Sequence, residues 1–198
     1  IATAPAFGGI ASAVRSDGRT RGRSALTTRQ TPSRPASAPC TAAPWPPPGY
    51  GGIEHVVALL CDGLVKLGHH VTLFAAPGSR STATVHEVLT SSHPDEIGQS
   101  LYESDHVSRV LDHLDEMAQQ GKPFDILHDH CGFTTVAMAD RISTPLIHTL
   151  HGPFTEDTSS FYRQHGDNAW LVAISEAQRA SAPADVRVAG VVPNPIDV

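Results

Sequence analysis

A chain of 198 residues with a formal net charge of -6 is long enough to bury a core of its own, and it lacks the positive field that draws proteins onto nucleic acid or anionic lipid. No apolar run approaches the length of a membrane span. Three cysteines, Cys40, Cys61 and Cys131, without CxxC spacing, argue against a disulfide framework or a structural zinc site and point to a reducing, cytoplasmic setting.

Charge is unevenly placed. Residues 1–43 hold Arg15, Arg19, Arg21, Arg23, Arg29 and Arg34 with one acid, Asp17, whereas the remainder holds 8 basic and 19 acidic residues. This break divides the chain into 1–43, expected to be disordered or unrelated to the domain, and 44–198, expected to fold as one domain. The early Arg- and Ser-rich stretch has the composition of a transit segment, but Pro32, Pro35, Pro39 and repeated glycines interrupt any amphipathic helix. The first residue is Ile rather than Met, which suggests a fragment.

In "PPPGYGGIEHVV" a proline run and Gly49-Tyr50-Gly51-Gly52 lead directly into Ile53, Val56, Val57, Leu60, Leu64 and Leu67, one stripe of an amphipathic helix that Gly68 should stop. "HHVTLFAAPGS" reads as a buried strand and its exit loop, and a polar stretch then leads to a second helix from about Glu103 to Gln120. After it come the strand "FDILH", the short helix "FTTVAMADRI", the strand "PLIHTL" and the polar helix "TEDTSSFYRQHG". "WLVAIS", "SEAQRAS" with Ser175 as N-cap, and "VRVAGVVPN" continue the alternation. Apolar strands alternating with helices over short connections predict an α/β fold with a doubly wound parallel sheet, whose ligand crevice lies at the carboxyl ends of the strands.

The residues just after each apolar run therefore carry the chemistry: His128-Asp129-His130, His148, His151-Gly152, Ser175-Glu176 and Asn194. Gly51 and Gly52 before a helix would let backbone N–H groups approach an anion, although Gly49, Gly51 and Gly52 lack GxGxxG spacing and a plain turn explains them equally well. His128 and His130 point to one side of an extended strand and could share a metal with His148 or His151. The alternative packs His128 beside the sheet and leaves His130 facing the cleft as a hydrogen-bonding group. Because the only carboxylate beside the pair, Asp129, falls on the opposite face, no metal is expected. Gly152-Pro153 ends its strand sharply and leaves the His151 ring free to reach a ligand. No G-x-S-x-G elbow or Cys-His signature supports acyl transfer, and His86, His93, His106, His113 and His165 read as solvated.

Taken in order, "PPPGYGGIEHVVALLCDGLVKLGHHVTLFAAPGS", "FDILHDH", "PLIHTLHGPF", "WLVAISEAQRA" and "VVPNPIDV" resemble the N-terminal half of a retaining glycosyltransferase of family 4 with the GT-B fold, from about Ala43 to Val198. The resemblance implies a Rossmann-like domain that mainly receives the acceptor, facing a C-terminal domain that mainly binds the nucleotide-sugar. It implies that Gly51 and Gly52 approach the donor diphosphate, that His151 contacts the donor sugar near the reacting carbon, and that neither metal nor other cofactor is needed. Retention in this family is usually explained by same-face attack with the leaving phosphate helping to deprotonate the acceptor, so a missing protein nucleophile is no objection. Tyr50, Glu54 and His130 are candidates for acceptor contacts from their position in the cleft.

Two departures from the family pattern shape the expectation. "RPASAPCTAAPW" stands where the family has an apolar first strand, so that strand is expected to be missing. The chain also stops where the family crosses into its C-terminal domain, whose paired glutamates and basic donor-gripping residues are absent. The expectation is thus an acceptor-side domain of a hexosyltransferase, inactive by itself. Two rivals stand beside it: a non-catalytic sugar- or nucleotide-binding module that pairs with a separate partner chain, and a metal-dependent hydrolase using His128, His130 and His151.

Overall fold

The computed structural model describes residues 9–16, 33–34, 36–40, 52–91 and 100–195. Within the arginine-rich segment it has β1 (Gly9–Ser16), β2 (Ser33–Arg34) and β3 (Ala36–Cys40). These are small-residue segments, one carrying Pro39, so no apolar run announces them, and their backbone pairing alone defines them. Composition predicts no regular structure there.

From Gly52 the elements follow the predicted alternation. α1 (Gly52–Lys66) buries Val56, Val57 and Cys61, and α2 (Ser100–Gln119) buries His106, Val107, Val110 and Leu114. Both helices end in the same way. Gly68 and Gly121 take φ of 88° and 71°, a region glycine enters without steric cost, and the chain turns back to cap the last carbonyls. His69 N donates to Leu64 O and Gly68 N to Val65 O, and at the second helix Lys122 N donates to Met117 O and Gly121 N to Ala118 O.

Between the two helices lie β4 (Thr72–Ala75), buried along its length, and β5 (Thr84–Glu87). β5 is an edge strand that the sequence hides in a polar stretch, because none of its four residues is fully buried. The remaining strands and α-helices are β6 (Ile126–Asp129), the single turn α3 (Thr134–Ala137), β7 (Leu146–Leu150), α4 (Glu156–His165), β8 (Trp170–Ala173), α5 (Glu176–Ala180) and β9 (Val188–Val191), with short 3-10 turns at Ala139–Arg141 and Gly166–Asn168. α4 opens on a reciprocal cap between Thr155 and Thr158.

The sheet order is β5-β4-β1-β3-β6-β7-β8-β9. β4 with β5, β3 with β6, and β6 through β9 all pair in parallel. The slot between β4 and β6, which this topology reserves for a first parallel strand, holds β3 alongside β6 and the antiparallel β1 alongside β4. Strand alternation then sorts the core onto two faces. Leu73 and Ala75 of β4 pack with Val57 and Cys61 of α1 on one face. Phe74, Leu127, Leu146 and Leu171 pack with Val110 of α2 and Tyr162 of α4 on the other. Helices thus cover both faces, which is the Rossmann-like doubly wound arrangement. Among the described residues no helix is long and apolar enough to cross a membrane.

Histidines expected on the surface are partly drawn inward. His106 is 1% exposed because it lies one turn before Val110 on the buried stripe of α2. His86 and His113 are half-buried, with rings 4.1 Å apart, each 5.4 Å from Phe74. His165 rests against Phe161 at 4.9 Å, and His93 lies outside the described residues.

Candidate functional site

The register Asp129↔His148 between β6 and β7 decides which polar groups can meet at the carboxyl end of the sheet. Asp129 and His148 share parity with Leu127, Leu146 and Leu150, so they face α2 and α4. His128, His130, Thr149 and His151 have the opposite parity and share the face on which α1 packs.

On the first face, His148 Nδ1 donates to Asp129 Oδ2 at 2.5 Å, and Asp129 Oδ1 accepts the Cys131 backbone N–H at 3.1 Å. The Tyr162 hydroxyl lies 3.1 Å from His148 Nε2; burial above all, then the charge of Asp129, holds its phenol above the ordinary range, so it keeps its proton and donates. The three side chains form a closed relay between β6, β7 and α4. Cys131 is buried beside it.

On the second face the imidazoles stack. The rings of His128 and His130 are 4.2 Å apart, those of His130 and His151 are 5.2 Å apart, and His130 Nδ1 meets His151 Nε2 at 2.9 Å. His128 Nε2 is bonded to Thr149 Oγ1 at 2.7 Å. Burial lowers the pKa of His128 and of His151 to about 4 and that of His130 well below the ordinary value, and neighbouring histidines add to the effect. All three are neutral at pH 7.

Neutrality constrains the protons. Each ring carries one N–H, so one proton spans His130 and His151, and of their outer nitrogens one is a donor and the other an acceptor. His130 Nε2 is buried with no partner. Leaving a lone pair there costs less than leaving an orphaned N–H, so the favoured arrangement has His130 donating to His151 and His151 presenting its Nδ1–H outward.

Two groups without a sequence signal complete the site. Glu103 of α2 accepts from Phe133 N, Thr134 N and Thr134 Oγ1 at 3.1, 3.2 and 2.9 Å, fixing the turn that follows His130. Gln178 of α5 bonds the backbone on both sides of His151. Of the predicted residues, His130 and His151 are brought together. Gly52 and Glu54 lie in the first turn of α1, where the Glu54 carboxylate complements the helix dipole. Tyr50 and Gly51 lie outside the described residues. Ser175 caps α5 by accepting from Gln178 N, and Asn194 is exposed. His148 faces away from His128 and His130, and among the described residues no group of three or more His, Cys, Asp or Glu side chains is arranged to hold a metal ion.

A family model described as Glycosyltransferase Family 4 matches residues 50–198, which takes in α1, every strand from β4 onward and both networks. No curated protein matches the chain.

Proposed function

The chain belongs to glycosyltransferase family 4, and from that membership we propose that it forms the acceptor-side half of a cleft in which a hexosyl group passes from a nucleotide-sugar to a hydroxyl with retention. The observation that supports this reading is the neutral, hydrogen-bonded His130–His151 pair at the carboxyl ends of β6 and β7, where a doubly wound sheet holds its ligand. In this reading the Nδ1–H of His151 donates to an oxygen of the donor sugar. A neutral imidazole does this without adding a positive charge that would compete for the phosphates.

The diphosphate is proposed to meet the backbone N–H groups of Gly52, the first residue of α1, and of Gly51, which precedes it in the sequence. As the bond from the anomeric carbon to the diphosphate breaks, the leaving oxygen takes the electron pair, and N–H donors placed there stabilise the growing charge. The acceptor oxygen bonds the same carbon and its proton passes to the departing phosphate. Tyr50, Glu54 and His130 are proposed to hold the acceptor. No metal or other cofactor enters this scheme.

The test uses the purified chain and imidazole nitrogen NMR, with uridine diphosphate glucose and guanosine diphosphate mannose titrated to millimolar concentration. At least one nucleotide-hexose is expected to move the His151 signals, and the bare nucleoside diphosphate is not. If no nucleotide-sugar moves His151, or if His151→Gln binds the same donor equally well, the reading fails.

A further inference from the structure

We infer that Gln178 is the positioning residue for His151, holding the strand-end loop that carries it through hydrogen bonds to the backbone on both sides. Its Nε2 donates one hydrogen to Leu150 O at 3.0 Å and the other to Gly152 O at 2.8 Å, while its Oε1 accepts the Ile174 N–H at 2.8 Å. His151 is the residue between those two carbonyls. Reversing the amide would set its oxygen against two carbonyl oxygens and its NH2 against an N–H, so one orientation satisfies the contacts and the other satisfies none.

The placement of Gln178 is itself fixed. It lies on α5, whose cap Ser175 accepts the Gln178 backbone N–H at 3.1 Å, and α5 follows directly from β8, the neighbour of β7 in the sheet. Strand pairing ends at Leu150, so the carbonyls at the strand end and just past it need partners from outside the ladder. A side chain from the adjacent strand's helix takes them. Gly152-Pro153 alone leaves this backbone free to turn; Gln178 selects the turn that points His151 at His130. No other side chain is bonded to the carbonyls on both sides of His151 among the described residues.

This inference uses the reading of His151 as the sugar contact for its purpose, but its geometry stands apart from that reading and so does its test. Gln178→Met keeps the length and removes all three hydrogen bonds; Gln178→Glu keeps the acceptor for Ile174 N and removes both donors. Imidazole NMR of the full chain reads His151, assigned with His151→Gln, during a pH titration. His130 faces His151 directly with His128 behind it, His148 and Asp129 act on it from the other face of the sheet, and burial is the largest cause of its low pKa.

In both variants the His151 signals are expected to shift and its midpoint to rise by about one unit or more from about 4 toward the ordinary 6.5, as the ring gains solvent. His106, on α2, should stay at about 4 and so report an intact core. His151 signals and midpoint unchanged in both variants would overturn the inference. So would loss of the folded spectrum in both, which would make Gln178 a residue of global stability. If Gln178 moves His151 but no nucleotide-sugar does, the positioning role stands and the sugar-transfer reading falls.

Discussion

Asp129 and His148 lie side by side in register on β6 and β7, joined at 2.5 Å, with 0% and 2% of their side chains exposed. Asp129 also accepts the Cys131 N–H, so removing its carboxylate strands two donors in the core. Asp129→Ala is expected to destabilise the fold by about 2–6 kcal/mol, roughly 1–3 for each buried donor left without an acceptor. Urea denaturation of both proteins measures this, and a loss under about 1 kcal/mol would show that the relay contributes little.

Acid should weaken the fold in a definite window. His106, His128 and His151 have folded pKa values of about 4 against 6.5 when unfolded, chiefly through burial. Between those values the unfolded chain binds more protons than the folded one, so stability is present above about pH 6.5 and is lost as pH falls toward about 4. Each such histidine contributes a slope of about 1.4 kcal/mol per pH unit within the window. Urea midpoints measured from pH 7 to pH 4 should fall steeply, and a flat profile would mean that these rings are not buried neutral.

His106 offers a separate test, since both its ring nitrogens are buried without partners. Replacing it with an apolar side chain removes that penalty, so His106→Leu is expected to raise stability by about 1–2 kcal/mol and to remove one proton from the acid profile. A destabilised variant with an unchanged profile would contradict it.

Gly132 and Glu103 should be coupled. A Cβ at Gly132 would lie 2.8 Å from Glu103 Oε2, and that carboxylate cannot retreat without releasing the backbone it holds at Phe133 and Thr134. Gly132→Ala is expected to cost about 1–3 kcal/mol in the native background and markedly less beside Glu103→Ala. Additive costs in the double-mutant cycle would refute the coupling.

What could be read in the sequence follows from how each feature is written in it. α1 and α2 show an apolar stripe closed by a glycine, so their extents and stops are legible to within a few residues. The strands from β6 to β8 show as apolar runs, and the strand-end rule singles out His130 and His151 before any contact between them is seen. β5 has no apolar run to show, because it lies at the sheet edge. His106 escapes notice because an imidazole on a helical stripe reads as polar whether or not it is buried. The Asp129–His148 pair was open to parity reasoning once β6 and β7 were taken as neighbours. Gln178 was not, since its role depends on how far an amide reaches across two loops, and no periodicity records reach.

β6 is a plate with different chemistry on its two sides. Asp129 feeds the relay toward α4, and His128 and His130 feed the imidazole stack on the side of α1. Substitutions can alter one side and spare the other, but a change in length cannot. Inserting or deleting one residue between Phe124 and Asp129 would exchange the two sides, pressing the histidines into the apolar layer and the carboxylate into the stack. This strand can therefore vary in composition, side by side and independently, while its residue count is held fixed.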